Sequence, residues 1–179
     1  AICAFTGQYE RLIAPQLAKT TPATLLDAGG GTGEVGHAVA KHCRPAPTLT
    51  VLDPSRSELP TDATTVCGYL EDPIPGQYDV ALCMETLDHL TQPMAALRNL
   101  RQAVPTGRLF ADVIEIDRLR RQYPKRCSVK IDHPVNWTST ALATALKRTG
   151  WAIKTSAWLI DTHNRFRTPH TFRLFVGCN

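Results

Sequence analysis

The chain has 179 residues, of which 43% are hydrophobic and 20% charged, with a formal net charge of +4 and a pI of about 8.8. That balance describes one globular domain with a sizeable core and excludes a disordered chain. No run approaches the roughly 18 apolar residues of a membrane span. The mild basicity permits an anionic substrate but lacks the concentrated face that nucleic-acid binding wants.

Strand-like and helix-like patterns alternate, which predicts a parallel sheet with helices on both faces. Residues 7–19 read as an opening helix, with Leu12, Ile13 and Leu17 on one face and Pro15 as its flaw. Thr24-Leu25-Leu26 begins a first strand that ends in Asp27, and residues 34–43 suit a helix. Leu49-Thr50-Val51-Leu52 is a second strand closed by Asp53. Residues 64–67 form a short third strand and 78–84 a buried fourth. Residues 92–103 have helical spacing at Met94, Leu97 and Leu100 and stop before Pro105. A fifth strand covers 108–114. Residues 115–134 are charged, proline-bearing and without period, a connector of the kind that carries substrate contacts. Its basic run (Arg118, Arg120, Arg121, Lys125, Arg126) reads either as a solvated face or as a lip for an anion. Residues 138–149 make a helix stopped by Gly150, and 151–160 with 170–176 make an antiparallel hairpin. No repeat is visible, so residues 1–179 are expected to form a single domain.

The six cysteines (3, 43, 67, 83, 127 and 178) show no zinc-like spacing. The N-terminus lacks the basic flank and apolar core of a signal peptide. A reducing, cytoplasmic setting is the expectation.

Chemistry concentrates between residues 24 and 36. After the strand come Asp27 and then glycines at alternate positions, Gly29, Gly31 and Gly33. Glycine is required where a chain turns sharply from strand to helix and its backbone approaches a ligand. A pyrophosphate would want free N–H groups at the helix N-terminus, and a carboxylate among the glycines would repel it. Asp27 therefore points to a ligand with positive charge or hydrogen-bond donors near this loop. Gly31-x-Gly33-x-x-Gly36 also satisfies the dinucleotide fingerprint, which alone is weak, and a bare tight turn has the same letters. Asp53, at the tip of the second strand, is placed to accept ribose hydroxyls and is also a good helix or turn opening before Pro54. Gly36 falls inside the helix, where alanine would be favoured by up to about 1 kcal/mol. Valine at Gly31 is expected to abolish ligand binding, and alanine at Gly36 to be far milder.

The pattern Asp27-x-Gly29-x-Gly31-x-Gly33 resembles the cofactor loop of class I S-adenosylmethionine methyltransferases, whose ligand carries an ammonium and a sulfonium and no phosphate. The resemblance covers essentially the whole chain. It implies a Rossmann-like α/β fold with a seven-stranded, mostly parallel sheet, a C-terminal antiparallel hairpin and helices on both faces. It also implies S-adenosylmethionine as cofactor. Many members carry an acid that accepts from the adenine amino group where Tyr69 stands here, leaving the Leu70 backbone and the Glu71 carboxylate as candidates. Glu71 reads equally as part of a surface turn. The segment Cys83-Met84-Glu85-Thr86-Leu87-Asp88-His89-Leu90 resembles the family's stretch along the methionine and sulfonium end. His89 is expected at the mouth of the substrate pocket. Asp132-His133-Pro134-Val135-Asn136-Trp137-Thr138 resembles the opening of the late helix in ubiquinone-pathway O-methyltransferases and small-RNA ribose 2′-O-methyltransferases. In those families the matching residues (Glu85, Asp88, His89 and His133) can hold a divalent metal, with Glu85 sharing a helix face with Asp88 or His89.

The implied activity is methyl transfer to a small-molecule or glycan-like acceptor at oxygen, with His89 or His133 as base. Three alternatives stay open: a non-catalytic cofactor-binding partner subunit, a metal-assisted RNA ribose methyltransferase, and a nicotinamide oxidoreductase. Neither a membrane partner nor a particular oligomeric state is expected from the residues.

Overall fold

The computed structural model describes residues 6–55, 62–122, 133–160 and 171–178. Helix α1 (Thr6–Leu17) precedes strand β1 (Thr24–Ala28), helix α2 (Glu34–Ala40) and strands β2 (Thr48–Asp53), β3 (Thr64–Cys67) and β4 (Val80–Cys83). Helix α3 (Pro93–Ala103), strand β5 (Arg108–Ile114), helices α4 (Ile116–Gln122) and α5 (Ser139–Arg148), and strands β6 (Ala152–Ile160) and β7 (Thr171–Cys178) complete the order. Strands β1 to β5 pair in parallel, in the order β3-β2-β1-β4-β5. Beyond β5 the sheet continues through β7, antiparallel to β5, and then β6, antiparallel to β7. The segment expected to join these last two strands lies outside the described residues.

Side chains alternate across a strand, so each buried strand feeds two cores. Leu25 and Leu82 pack with Tyr9, Ile13 and Leu17 of α1 and with Val35 and Val39 of α2. Their neighbours Leu26 and Ala81 face the opposite way, against Leu97 and Leu100 of α3 and Leu142 and Leu146 of α5. Helices thus cover both faces, as expected. Because every parallel strand points the same way, the loops after β1 to β5 all emerge on one edge. Between β1 and β4 the order of connections reverses, and ligands of open α/β sheets bind outside such a point.

One expected element is different. The run after β5 is not irregular throughout, because residues 116–122 form α4. Its start is fixed by Glu115, buried to 4% exposure, whose carboxylate accepts the Asp117 N–H at 3.2 Å. The same carboxylate accepts the Ser139 N–H at 2.5 Å and the Ser139 hydroxyl, at the first turn of α5. An anion at two helix N-termini satisfies backbone donors that lack intrahelical partners and suits both dipoles. Thr138 adds a local cap, its hydroxyl accepting from the Ala141 N–H at 3.0 Å. Lys125, Arg126 and Asp132 lie outside the described residues. Since Glu115 ties both ends of the connector together, Glu115→Ala is expected to cost about 2–4 kcal/mol in urea unfolding, as buried charge-assisted bonds are lost. A cost under roughly 0.5 kcal/mol would show that the clasp contributes little.

Candidate functional site

Gly29, Gly31 and Gly33 have φ of 73°, 54° and 74°, so the alternate glycines all occupy the left-handed region that a side chain disfavours. Asp27 anchors the loop from below. It is only 2% exposed, and its Oδ2 accepts the Gly36 N–H at 2.8 Å, one of the donors that α2 cannot satisfy internally. Burial pushes the Asp27 carboxyl up to about 6 despite that bond. The direct partner of Asp27 is therefore the helix, and it is not among the residues that line the adjoining cavity.

This geometry corrects the expectation for Gly36. A Cβ there would lie 2.7 Å from Asp27 Oδ2 and 2.9 Å from Leu49 Cδ1, while one on Gly31 would meet nothing within 4 Å but would sit on a left-handed backbone that strains any side chain. The helical preference for alanine is outweighed by contact with a buried carboxylate and a buried leucine. Gly36 is a close-packing glycine, the role its counterpart plays in dinucleotide sites too, so it does not separate the two ligand classes.

A cavity of about 360 Å³ opens beyond the strand ends. Gly29 contributes from the loop after β1, Asp53 and Pro54 from β2, Gly68 to Glu71 from β3, and Glu85, Thr86, His89, Leu90 and Thr91 from the segment after β4. Asp53 is half-buried and accepts the Gly31 N–H at 2.9 Å through Oδ2. Its Oδ1 accepts the Ser55 N–H at 2.8 Å, so the turn-opening role is present as well. Of the expected cofactor positions, Gly29, Asp53, Leu70 and Glu71 line the cavity; Asp27, Gly31, Gly33, Cys83 and Met84 do not. Cys83 and Met84 are buried, and it is Glu85 that reaches the wall.

The expected helix over Glu85 to His89 is absent. Residues 87–89 form a turn, and Glu85 has a φ of 51°, a left-handed conformation for a residue with a side chain. Two bonds hold it there. Its N–H donates to Asp112 Oδ1 at 2.6 Å, and the Tyr9 hydroxyl bridges its Oε1, at 3.2 Å, and Asp112 Oδ2. Glu85 consequently stands apart from the histidine group. Tyr9 and Asp112 went unrecognised in the sequence, although a lone acid within the apolar Leu109-Phe110-Ala111-Asp112-Val113 run was a signal. Asp112 is fully buried, and its carboxyl is pushed up to about 8, first by burial and then by the charges of Glu85 and Asp88 against the pull of its hydrogen bonds.

Asp88, His89 and His133 do come together. The strap after residue 132 lies along the turn, with the Val135 N–H donating to the Asp88 carbonyl and Trp137 Nε1 to the Leu87 carbonyl. His133 Nδ1 is thereby set 2.6 Å from Asp88 Oδ2, both residues buried, and the His133 ring lies 4.3 Å from that of exposed His89. The three side chains each offer a ligand atom within 4.8 Å of the others, and the second oxygen of Asp88 is buried without a hydrogen-bond partner.

A family model described as a methyltransferase domain matches residues 5–156. The chain belongs to that methyltransferase family. No curated protein matches it in sequence. Among solved structures, this methyltransferase is similar to a magnesium protoporphyrin IX methyltransferase from Synechocystis with bound S-adenosylhomocysteine. They share 14% identity and a TM-score of 0.71, over 98% of this chain and 84% of that one. A 1,6-didemethyltoxoflavin N1-methyltransferase from Burkholderia thailandensis, bound to its substrate and S-adenosylhomocysteine, shares 16% identity and a TM-score of 0.73, over 97% and 77%. An S-adenosylmethionine-dependent methyltransferase from Mesorhizobium loti shares 17% identity and a TM-score of 0.72, over 99% of both chains.

Two outcomes follow for the methyltransferase. Gly36→Ala is expected to lose about 1–3 kcal/mol of stability through overpacking, and unfolding unchanged from the parent would contradict the contact with Asp27. Asp112 binds its proton more tightly folded than unfolded, so stability falls as pH rises from its ordinary 3.8 towards about 8. Asp112→Asn, which mimics the neutral acid, should flatten that part of the thermal-midpoint profile. A slope identical to the parent's would mean that Asp112 is ionised in the folded protein.

Proposed function

We propose that the protein is an S-adenosylmethionine-dependent methyltransferase acting on a hydroxyl of a small-molecule or glycan-like acceptor. The observation that carries this reading is the charge of the cavity wall. Asp53, Glu71 and Glu85 line it, with no lysine or arginine among the described residues, in a chain whose net charge is +4. Such a wall favours a nucleoside with a cationic tail and disfavours a pyrophosphate. The antiparallel pair β7–β6 completes, in this reading, the seven-stranded sheet of the class I enzymes.

Asp53 would hold the ribose, the Gly29 turn the amino-acid end, and the Gly68 to Glu71 segment the purine. Bound there, the cofactor supplies a methyl group activated by its sulfonium. The chain's own task is to align the acceptor and receive its proton. His89 lines the cavity and is the residue that meets the acceptor, while Asp88 and His133 stand behind it as positioning residues. Donation of the Nδ1 hydrogen to Asp88 fixes the His133 tautomer and holds its ring against His89. The nicotinamide reading has no such support from the wall, and the His89–His133 group favours an enzyme over a non-catalytic subunit.

A second reading of the same three side chains is a divalent metal site, favoured by their mutual distances and by the unpartnered Asp88 oxygen. Two nitrogens and a carboxylate suit a transition ion or Mg²⁺.

The test is mass spectrometry for a methylated product, using hydroxylated small molecules and glycans as acceptors. His89→Ala should lower kcat by roughly 10²- to 10⁴-fold, the scale of general-base loss, with little change in cofactor affinity. Activity indifferent to EDTA would support the base. Loss with EDTA and recovery with Mn²⁺ or Co²⁺ would favour the metal, and an unimpaired His89→Ala would remove His89 from either role.

A further inference from the structure

The purine end of the cavity has no carboxylate at position 69, and the acceptors beside it each take a hydrogen bond from within the protein. The Leu70 carbonyl accepts from Asn99 Nδ2 at 3.0 Å, and the Asp72 carbonyl accepts from the same group at 2.8 Å. The Glu71 carboxylate accepts the Thr91 N–H at 3.2 Å through Oε1. These bonds pin the loop after β3 to α3 and to the segment after β4. Tyr69 is left facing solvent at the cavity wall. It is 62% exposed, the one large apolar side chain so exposed among the described residues, while Leu70 next to it is 3% exposed.

We propose that Tyr69 recognises the purine by stacking against its face, in place of a hydrogen bond to the exocyclic amino group. The proposal rests on the cofactor reading above. A base seated over the ring would cover apolar surface that the fold leaves wet, and an aromatic face does not distinguish donors from acceptors on the base edge. Cofactor selectivity is then relaxed at the purine 6-position, which makes Tyr69 a specificity-determining residue of this methyltransferase.

Calorimetric titration with S-adenosylhomocysteine and with its 6-deamino purine analogue tests this directly. The parent protein should bind both within about threefold. Tyr69→Ala should weaken both together by roughly 5- to 100-fold, the range for loss of one base–aromatic stack. Tyr69→Phe should bind both as the parent does. An unchanged melting profile will show that these exposed-site variants are folded. A tenfold or larger loss on removing the amino group from the ligand, at roughly the level of a made hydrogen bond, would overturn the proposal. So would Tyr69→Phe weakening S-adenosylhomocysteine alone, because the hydroxyl would then be the amino group's acceptor. Unchanged affinity in Tyr69→Ala would also overturn it. Failure of the parent to bind either ligand would contradict the cofactor reading itself and the stacking with it.

Discussion

Where β1 hands over to α2, the Asp27 carboxyl occupies the space that side chains on Gly30 and Gly36 would need. A Cβ on Gly30 would lie 2.5 Å from Asp27 Cγ, and one on Gly36 would lie 2.7 Å from Oδ2. The carboxyl fills that gap and caps the helix that begins beside it. The turn above must then reverse direction within a few residues, which the left-handed glycines allow. Gly31, so placed, donates its N–H to Asp53 at the tip of the next strand. The glycine loop, the placement of Asp53 at the cavity wall and the first crossover helix thus follow from one buried side chain with little room around it.

A second constraint is electrostatic. Asp27, Asp88 and Asp112 are all buried near the active edge of the sheet, with Glu85 among them at the cavity wall. Removing carboxylates from water favours their neutral forms, and Asp27 and Asp112 are both shifted that way. Burying such an edge is costly, and it leaves Asp53, Glu71 and Glu85 as the carboxylates that face the cavity. The left-handed Glu85, held by Tyr9 from α1 and by Asp112 from β5, shows elements from opposite ends of the chain converging on that charge.

The sheet was largely legible because its strands are short apolar runs between turn residues, and residues 108–114 were delimited as they stand. Asp53 was legible as a cavity residue because acids at strand tips have few purposes. Long-range partners were harder to read. Asp27 was taken for a ligand contact because spacing shows that it lies near the glycines and not which way its carboxyl turns. Gly36 looked replaceable because helix propensity takes no account of Asp27 and Leu49 behind it. Helix α4 was hidden because its start depends on Glu115 reaching Ser139, far ahead in the chain. His89 and His133 were correctly expected to meet, since both follow strands that emerge on the same edge, but the turn that sets Glu85 apart had no local signal.

The charge of the cavity wall carries the account, and the most direct measurement is a calorimetric comparison of two ligands of opposite tail charge. S-adenosylmethionine and NADH share an adenosine end and differ in whether a cation or a pyrophosphate follows it. The carboxylate-lined wall predicts saturable, one-site binding of S-adenosylmethionine in the micromolar range and none of NADH under the same conditions. Comparable affinity for NADH, or binding of NADH alone, would contradict it.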